Sequence, residues 1–477
     1  MYTFLICLGL LITSYFTYAR YLERQFSVAQ SNPVPSASMR DGVDYIPMPA
    51  WKTFLIQLLN IAGLGPIFGA LLGAMYGPVA FLWITFGSIF IGAVQDYASG
   101  MISVREKGVS FPEIVGRYMG GNVRMVMRAF TLFLMVLVGA VFMVGPAGIL
   151  EGMTQMSRSV WVWIILAYYL LATLLPIDKI IGKVYPVFGF ALLFMAMGML
   201  YVLFSGDYSI PELTGATLAN MKTEPDKFPI FPTLFITIAC GAVSGFHATQ
   251  SPMMARCIRN EKEGRPVFFG AMISEGIIAL IWAAAGMAFW GGAPQLNEVM
   301  AAHGNDAGWA VNEITNTTLG SFGAVLALLG VVAAPITSGD TAFRSARLIT
   351  ADFLHMDQRS LKKRLYICIP LFAAGFVITM MRFDVLWRYF AWANQVLAAI
   401  CLWTVTVYLA RNGKNMFIVL FPAVFMTFIV SFYILFAPEG FSMPYMAGFA
   451  VALAVTGGIT AVMAAHIRKK KTECVLK

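Results

Sequence analysis

From Tyr2 to Ala19 the chain is apolar almost without interruption, and runs of similar length recur nearly to its C-terminus. The hydrocarbon core of a bilayer takes about 20 consecutive apolar residues in helical form. Runs of that length predict helices at 2–19, 51–76, 78–104, 124–150, 159–176, 184–205, 231–256, 266–291, 318–350, 364–381, 385–410, 416–437 and 443–467. The pattern is that of an all-α polytopic membrane protein with about 13 transmembrane helices.

The polar stretches between the runs carry the orientation. Loops with Arg20/Arg24/Arg40/Lys52, Arg105/Lys107/Arg117/Arg124, Lys179/Lys183, Arg256/Arg259/Lys262/Arg265, Arg359/Lys362/Lys363/Arg364 and Arg411/Lys414 are basic, as is the tail Arg468–Lys471. They alternate with loops poor in Lys and Arg, such as 206–230 and 291–318, where Glu298, Asp306 and Glu313 lie. Basic loops stay on the cytoplasmic side. An odd number of crossings then puts the N-terminus outside and the C-terminus in the cytoplasm, in the cell membrane.

Two of the predicted helices contain their own breakers. In "NIAGLGPIFGALLGAMYGP" (60–78), Gly63, Leu64, Gly65 and Pro66 fall at mid-span. In "ACGAVSGFHATQSPMMARC" (239–257), Gly241, Gly245 and Pro252 bracket Ser244, His247, Thr249, Gln250 and Ser251. Unpaired backbone survives at membrane depth only where protein or a wet cavity satisfies it, and paired breaks of this kind point to a transporter's central site. The first break enters from the cytoplasm and the second from outside, each opening a set of five helices. This reads as a 5+5 inverted repeat with one helix before it and two after, and the broken stretch Asn60–Gly65 resembles the leucine-transporter fold. The segments are 1–50 (first helix and cytoplasmic loop), 51–206 (first repeat), 207–230 (extracellular loop), 231–411 (second repeat) and 412–477 (two helices and the basic tail). The two breaks are expected to face each other across a polar void. The spacing of Gly65, Gly69, Gly73 and Gly77 also suits close helix packing.

Composition narrows the function. The chain is 59% hydrophobic and 12% charged, against about 25% charged in soluble domains. Its net charge of +9 sits in the short loops, which argues for membrane orientation and against nucleic acid. Six scattered cysteines make no CxxC pair, so neither a disulfide framework nor a zinc site is expected. The first run lacks a basic n-region and a cleavage site and reads as a retained helix. Neither His-Glu-x-x-His nor Gly-x-Ser-x-Gly occurs, so no enzyme is expected.

A half-helix N-terminus offers free N–H groups to an anion, and a half-helix C-terminus offers carbonyls to a hard cation. The breaks therefore suit a small carboxylate substrate and a coupling ion, with no other cofactor. Ionisable residues inside membrane segments are costly and by default functional. Asp340 either takes part in ion coupling or pairs with Arg344 four residues on. His247 is expected to be neutral and bonded to a backbone carbonyl, with substrate contact or proton uptake as the alternative. Asp96 is expected to pair with Arg105 or Arg128, Glu275 to anchor packing near the cytoplasmic side, and Asp384 to pair with Arg382 or Arg388.

The stretches "GLGPIFGALLGAMYGP", "GAVQDYASGMISVREKG", "SFPEIVGRYMG", "GFHATQSPMMARC" and "ITSGDTAFRSARL" resemble the carbon starvation protein A (CstA) family over nearly the whole chain. The resemblance implies a cytoplasmic-membrane transporter of the amino acid–polyamine–organocation superfamily, linked to peptide or pyruvate uptake by symport during starvation. The chain resembles a short form, since longer members carry further C-terminal helices. More distantly, Asn60–Gly65 is similar to the first helix of sodium-coupled neurotransmitter symporters. By that resemblance the N–H groups of Leu64 and Gly65 meet a substrate carboxylate. The carbonyls of Leu59 and Ala62, with Ala334, Thr337 and Ser338, would hold sodium. A second sodium site is not carried over, because Pro66 stands where those symporters have Asn. Sodium and proton both stay open as the coupling ion. The alternative function is a membrane-embedded nutrient sensor that binds the same ligand without moving it. Partners are then the small carboxylate or peptide and membrane lipid; no oligomeric state follows from the sequence.

Overall fold

The computed structural model describes residues 1–40, 45–154, 156–174, 181–206, 208–354, 356 and 360–475. Lys179 and Arg359, two of the basic loop residues, lie outside them. All regular structure in the described residues is helical. In chain order it comprises α1 (Tyr2–Gln25), α2 (Ala50–Ala62), α3 (Gly65–Ala74), α4 (Val79–Arg105), α5 (Phe111–Met119), α6 (Gly121–Met153), α7 (Arg158–Leu174) and α8 (Ile181–Ser205). The rest are α9 (Phe235–Thr237), α10 (Gly245–Ala255), α11 (Glu261–Phe289), α12 (Ala293–Ala302), α13 (Ala307–Ala327), α14 (Ala333–Phe353), α15 (Leu361–Ile378), α16 (Phe383–Arg411), α17 (Phe417–Phe436) and α18 (Tyr445–Val475). Among the described residues eight helices are long and apolar enough to span a membrane by themselves, or nine with α2 and α3 taken as one bent span. Short helices α5 and α12 occupy stretches expected to be loops. The helix expected at 318–350 starts earlier, at Ala307, and turns at Gly320, whose φ of +58° only glycine adopts freely.

Both expected breaks are present. The chain bends by 54° between α2 and α3, where Gly63 takes φ +42° and ψ −134°. The N–H groups of Ile67 and Phe68 both turn back to Leu64 O, starting a widened π turn over Gly65–Gly69. The second span loses helical form between α9 and α10, with Gly241 at φ +89°. Widened turns also interrupt α4 at Ser88–Gly92 and α11 at Arg265–Gly270. Such single-turn insertions rotate everything beyond them and cluster at functional sites.

The breaks touch instead of facing each other across a void. A Cβ added to Gly65 would overlap Cys240, one on Gly73 would overlap Ile238, and one on Gly241 would sit 3.2 Å from Pro66 Cα. The glycine stripe of α3 thus lets its backbone lie directly on the broken stretch 237–241, the close approach that small residues permit in membranes. Exposed Phe86, Phe133, Trp163, Phe194, Met197, Ile369 and Phe421 give the assembled helices an apolar outer belt.

Each end of the helix assembly is laced by side chains. At one end Glu212 accepts from the N–H of Tyr2 and of Thr3, and pairs with the N-terminal ammonium. Nearby Asn297 Nδ2 donates to Met75 O and Met221 O, and the Lys222 ammonium lies over the Tyr76 and Phe228 rings. At the other end Glu261 takes Arg105 Nε at 3.1 Å and Asn32 Nδ2 at 2.6 Å, while Arg265 meets Glu23 and Arg256 donates to Gly108 O. His466 of the last helix contacts Tyr118 O at this second end.

Two consequences are testable. Gly65→Ala is expected to lower the detergent melting temperature, at the 1–3 kcal/mol typical of overpacking, because its Cβ has no room beside Cys240. Gly457→Ala, where nothing lies within 4 Å, should leave the melt unchanged or raise it. Burial and the nearby Arg388 push the half-buried Lys222 ammonium down to about 8. Above its folded value the amine is neutral while the unfolded one stays charged to about 10.4, so stability rises with pH between 8 and 10. Lys222→Met should therefore stabilise the protein at pH 7 by on the order of 1 kcal/mol, discounted for solvent, and the gain should vanish by pH 10 in a melting series.

Candidate functional site

The broken stretch between α9 and α10 is where helical pairing fails, and its backbone groups are met one by one from neighbouring helices. Trp387 Nε1 donates to Thr237 O at 3.3 Å, Trp83 Nε1 to Ile238 O at 3.1 Å and Ser88 Oγ to Gly241 O at 2.9 Å. Gln395 Nε2 donates to Val243 O at 3.1 Å, and Gln95 Nε2 to Ser244 O at 2.5 Å. The Phe246 N–H donates to Asn394 Oδ1 at 2.7 Å, while Asn394 Nδ2 donates to Ser244 Oγ at 2.9 Å. Gly245 fits against the backbone of Asn394 and Ala398, where any side chain would collide.

In the first turn of α10 lies His247, and it corrects three expectations. Its Nδ1 stands 2.7 Å from Asp96 Oδ2 on α4, and its Nε2 stands 3.3 Å from Glu275 Oε2 on α11. All three side chains are wholly buried. His247 is therefore bound to carboxyl groups and not to a backbone carbonyl. Asp96 does not pair with Arg105 or Arg128, because Glu261 holds Arg105 and Glu113 holds Arg128. Arg105 also lies nine residues further along the same helix, about 13 Å away by helical rise. Glu275 is a member of this charged cluster, not an isolated packing anchor. The Gly241 N–H stands beside it, and Ala279, one turn on, packs against Gly241.

The remaining predicted residues divide by what they touch. Thr249 Oγ1 donates to Phe246 O and Ser251 Oγ to His247 O, so both hydroxyls serve their own helix. Gln250 is buried with Oε1 unpartnered, and buried Asn60 on α2 also has a free Oδ1. Leu64 packs beneath Gly145 of α6. Ser338 Oγ donates to Ala334 O at 3.1 Å and reaches Leu59 O at 3.4 Å, and Thr337 Oγ1 donates to Ala334 O at 2.7 Å. Oxygens of Leu59, Ala334, Thr337 and Ser338 thus gather where α14 meets α2, an all-oxygen donor set of the kind hard cations take. Ala62 ends α2, one residue before the break. Asp340 pairs with Arg344 at 3.3 Å, the alternative to its role in ion coupling, and Asp384 pairs with both Arg382 and Arg388. Apart from the breaks, a cleft of about 460 Å³ opens between α1, α2 and α11, lined by Ile12, Phe16, Trp51, Phe54 and Ile273 among others.

A model of the carbon starvation protein CstA family matches residues 1–151, 143–321 and 307–433. The chain belongs to this family. A relative described as an uncharacterized membrane protein of Haemophilus influenzae is 42% identical over 351 residues, covering 63% of this chain and 95% of that one. The pyruvate/proton symporter BtsT of Escherichia coli is 24% identical over 57% of this chain and 46% of its own length. The peptide transporter CstA of Bacillus subtilis is 26% identical over 58% and 56%. The matches to these two span about half of their length. In fold, the chain is similar to the crystal structure of an Eremococcus coleocola manganese transporter, with a TM-score of 0.52 at 13% identity over 92% of this chain and 99% of that one. The CstA-family chain is thus a multi-pass membrane protein, and its helical build with relatives named as transporters supports a membrane transporter.

The side chains that satisfy the break escaped the sequence reading. Their signal was polar residues inside apolar runs: Gln95, Asn394 and Gln395. Asn394→Leu should strand the Phe246 N–H and the Ser244 hydroxyl. A loss of about 2–4 kcal/mol, two unsatisfied groups' worth, is expected in denaturant or thermal unfolding, against under 0.5 for an exposed control.

Proposed function

We propose that this CstA-family protein imports small carboxylates, such as pyruvate or short peptides, by ion-coupled alternating access, in nutrient scavenging during starvation. The observation that carries the reading is the direct apposition of two helix breaks at the buried centre of the helix assembly. A membrane protein gains nothing in stability from two such interruptions, since each needs partners from elsewhere. Their use is in offering free half-helix ends to a substrate anion and a coupling cation once the two spans part. The laced ends supply what would have to open in turn: Asn297 and Lys222 around Met75 and Tyr76 on one side, Glu261 with Arg105 and Asn32 on the other.

The arrangement read here is thirteen crossings with two inverted sets of five. The widened turns support it, because the first and second span of each set carry one: Gly65–Gly69 and Ser88–Gly92, then Ile230–Leu234 and Arg265–Gly270. Basic residues at the end formed by Arg105, Arg256, Arg265 and Arg411 support a cytoplasmic location for that end. The sensor alternative has no observation in its favour.

Proteoliposomes holding the purified chain should accumulate labelled pyruvate or dialanine at least tenfold above empty vesicles under an imposed proton or sodium gradient. Replacing sodium by choline at fixed pH assigns the ion. Binding of either compound without flux would overturn the reading in favour of a sensor.

A further inference from the structure

We propose that Asp96, His247 and Glu275 form the proton-binding site through which substrate movement is coupled to a proton gradient. This rests on the transport reading above and names the part of the molecule that carries the ion. Three separate elements, α4, α10 and α11, each bring one ionisable side chain to a single row, and none of the three is accessible to solvent. Among the described residues no Lys or Arg pairs with either carboxyl group. Asp96 Oδ1 has no hydrogen-bond partner, and Glu275 meets only the ring at 3.3 Å and the neighbouring Gly241 N–H. The other groups facing the row are Gln95 beside Asp96, the Cys240 thiol beside His247 and the Cys401 thiol on α16.

Charge counting fixes how many protons such a row holds when closed. With none added the cluster carries two negative charges, with one it carries a single negative charge, and with two it is neutral. An isolated buried charge costs several kcal/mol even after relaxation, so the neutral count of two protons is the one compatible with complete burial. Placing one on the imidazole lets both ring N–H groups point at carboxyl oxygens, with Nδ1 donating to Asp96. The second belongs on Glu275, whose 3.3 Å contact with the ring is longer than the 2.7 Å contact of Asp96. Removing that proton leaves a net charge that needs water, which requires the row to open.

The row is also tied to the moving part. His247 is on the half-helix just past the break, Glu275 stands beside the Gly241 N–H, and Gln95, next to Asp96, holds Ser244 O. Parting the broken spans therefore separates His247 from its two carboxyl partners and admits water to them. Proton binding and closure become a single event. Asp340, on α14, has Arg344 as a fixed counterion and no such link to the second break.

The test uses the full chain in proteoliposomes with whichever of labelled pyruvate or dialanine the wild type exchanges. Two readouts are compared: accumulation driven by an inward proton gradient, and exchange down the label's own gradient without any proton gradient. Glu275→Gln is expected to lose at least tenfold in accumulation and to flatten the pH dependence of exchange, while exchange itself stays measurable; Glu275→Asp should recover part of the accumulation. Asp96→Asn, read the same way, carries the test if Glu275→Gln fails to fold as judged by its melt. Accumulation at the wild-type level in a folded variant overturns the proposal, as does loss of exchange together with accumulation. Absence of exchange by the wild type would instead overturn the transport reading itself, so it is measured first.

Discussion

A backbone group released from its helix inside a membrane must find another partner, because no water stands by to replace the lost bond. The stretch from Thr237 to Phe246 meets this constraint with donors and acceptors from Trp83, Ser88, Gln95, Trp387, Asn394 and Gln395. At about 1–3 kcal/mol per group otherwise left unpaired, six such contacts are worth on the order of 10 kcal/mol, comparable to the whole net stability of a folded domain. The break is thus an expensive feature held by partners from two neighbouring helices. Its cost explains why α4 and α16, which supply the partners, carry polar residues in otherwise apolar sequence.

The same packing creates the charged row. With α4 drawn onto the break to satisfy it and α11 packed on Gly241 through Ala279, Asp96 and Glu275 arrive on either side of His247. Electrostatics then follows from geometry: a low-dielectric surrounding penalises any net charge, so the protonation of the row and the closure of the surrounding helices depend on each other. The glycine stripe of α3 contributes by removing side-chain bulk from the contact, which lets the two backbones lie against each other.

Dynamics has its place at the two ends. Both are held by a few polar contacts, among them Asn297 to Met75 O and Glu261 to Arg105, Asn32 and Ala29. Contacts of this kind contribute about 1 kcal/mol each, so each end is held by less than the pairing of the break, and in the proposed cycle the ends are what opens.

Amino-acid order alone determined the helical class, the places of most spans and the two interruptions, since apolar length, loop charge and glycine–proline clusters are local properties. It also brought out His247, Thr337, Ser338, Asp340 and the Asp384 pairings. What only tertiary structure decided was who meets whom across helices. Asp96 reaches His247 because α4 packs beside α10 at the break, a contact between distant parts of the chain that no helical periodicity registers, while Arg105 lies nine residues further along the same helix and meets Glu261. Glu275 joins them, and the expected void closes, for a related reason: the approach of two backbones depends on side chains that are missing from one helix and supplied by another.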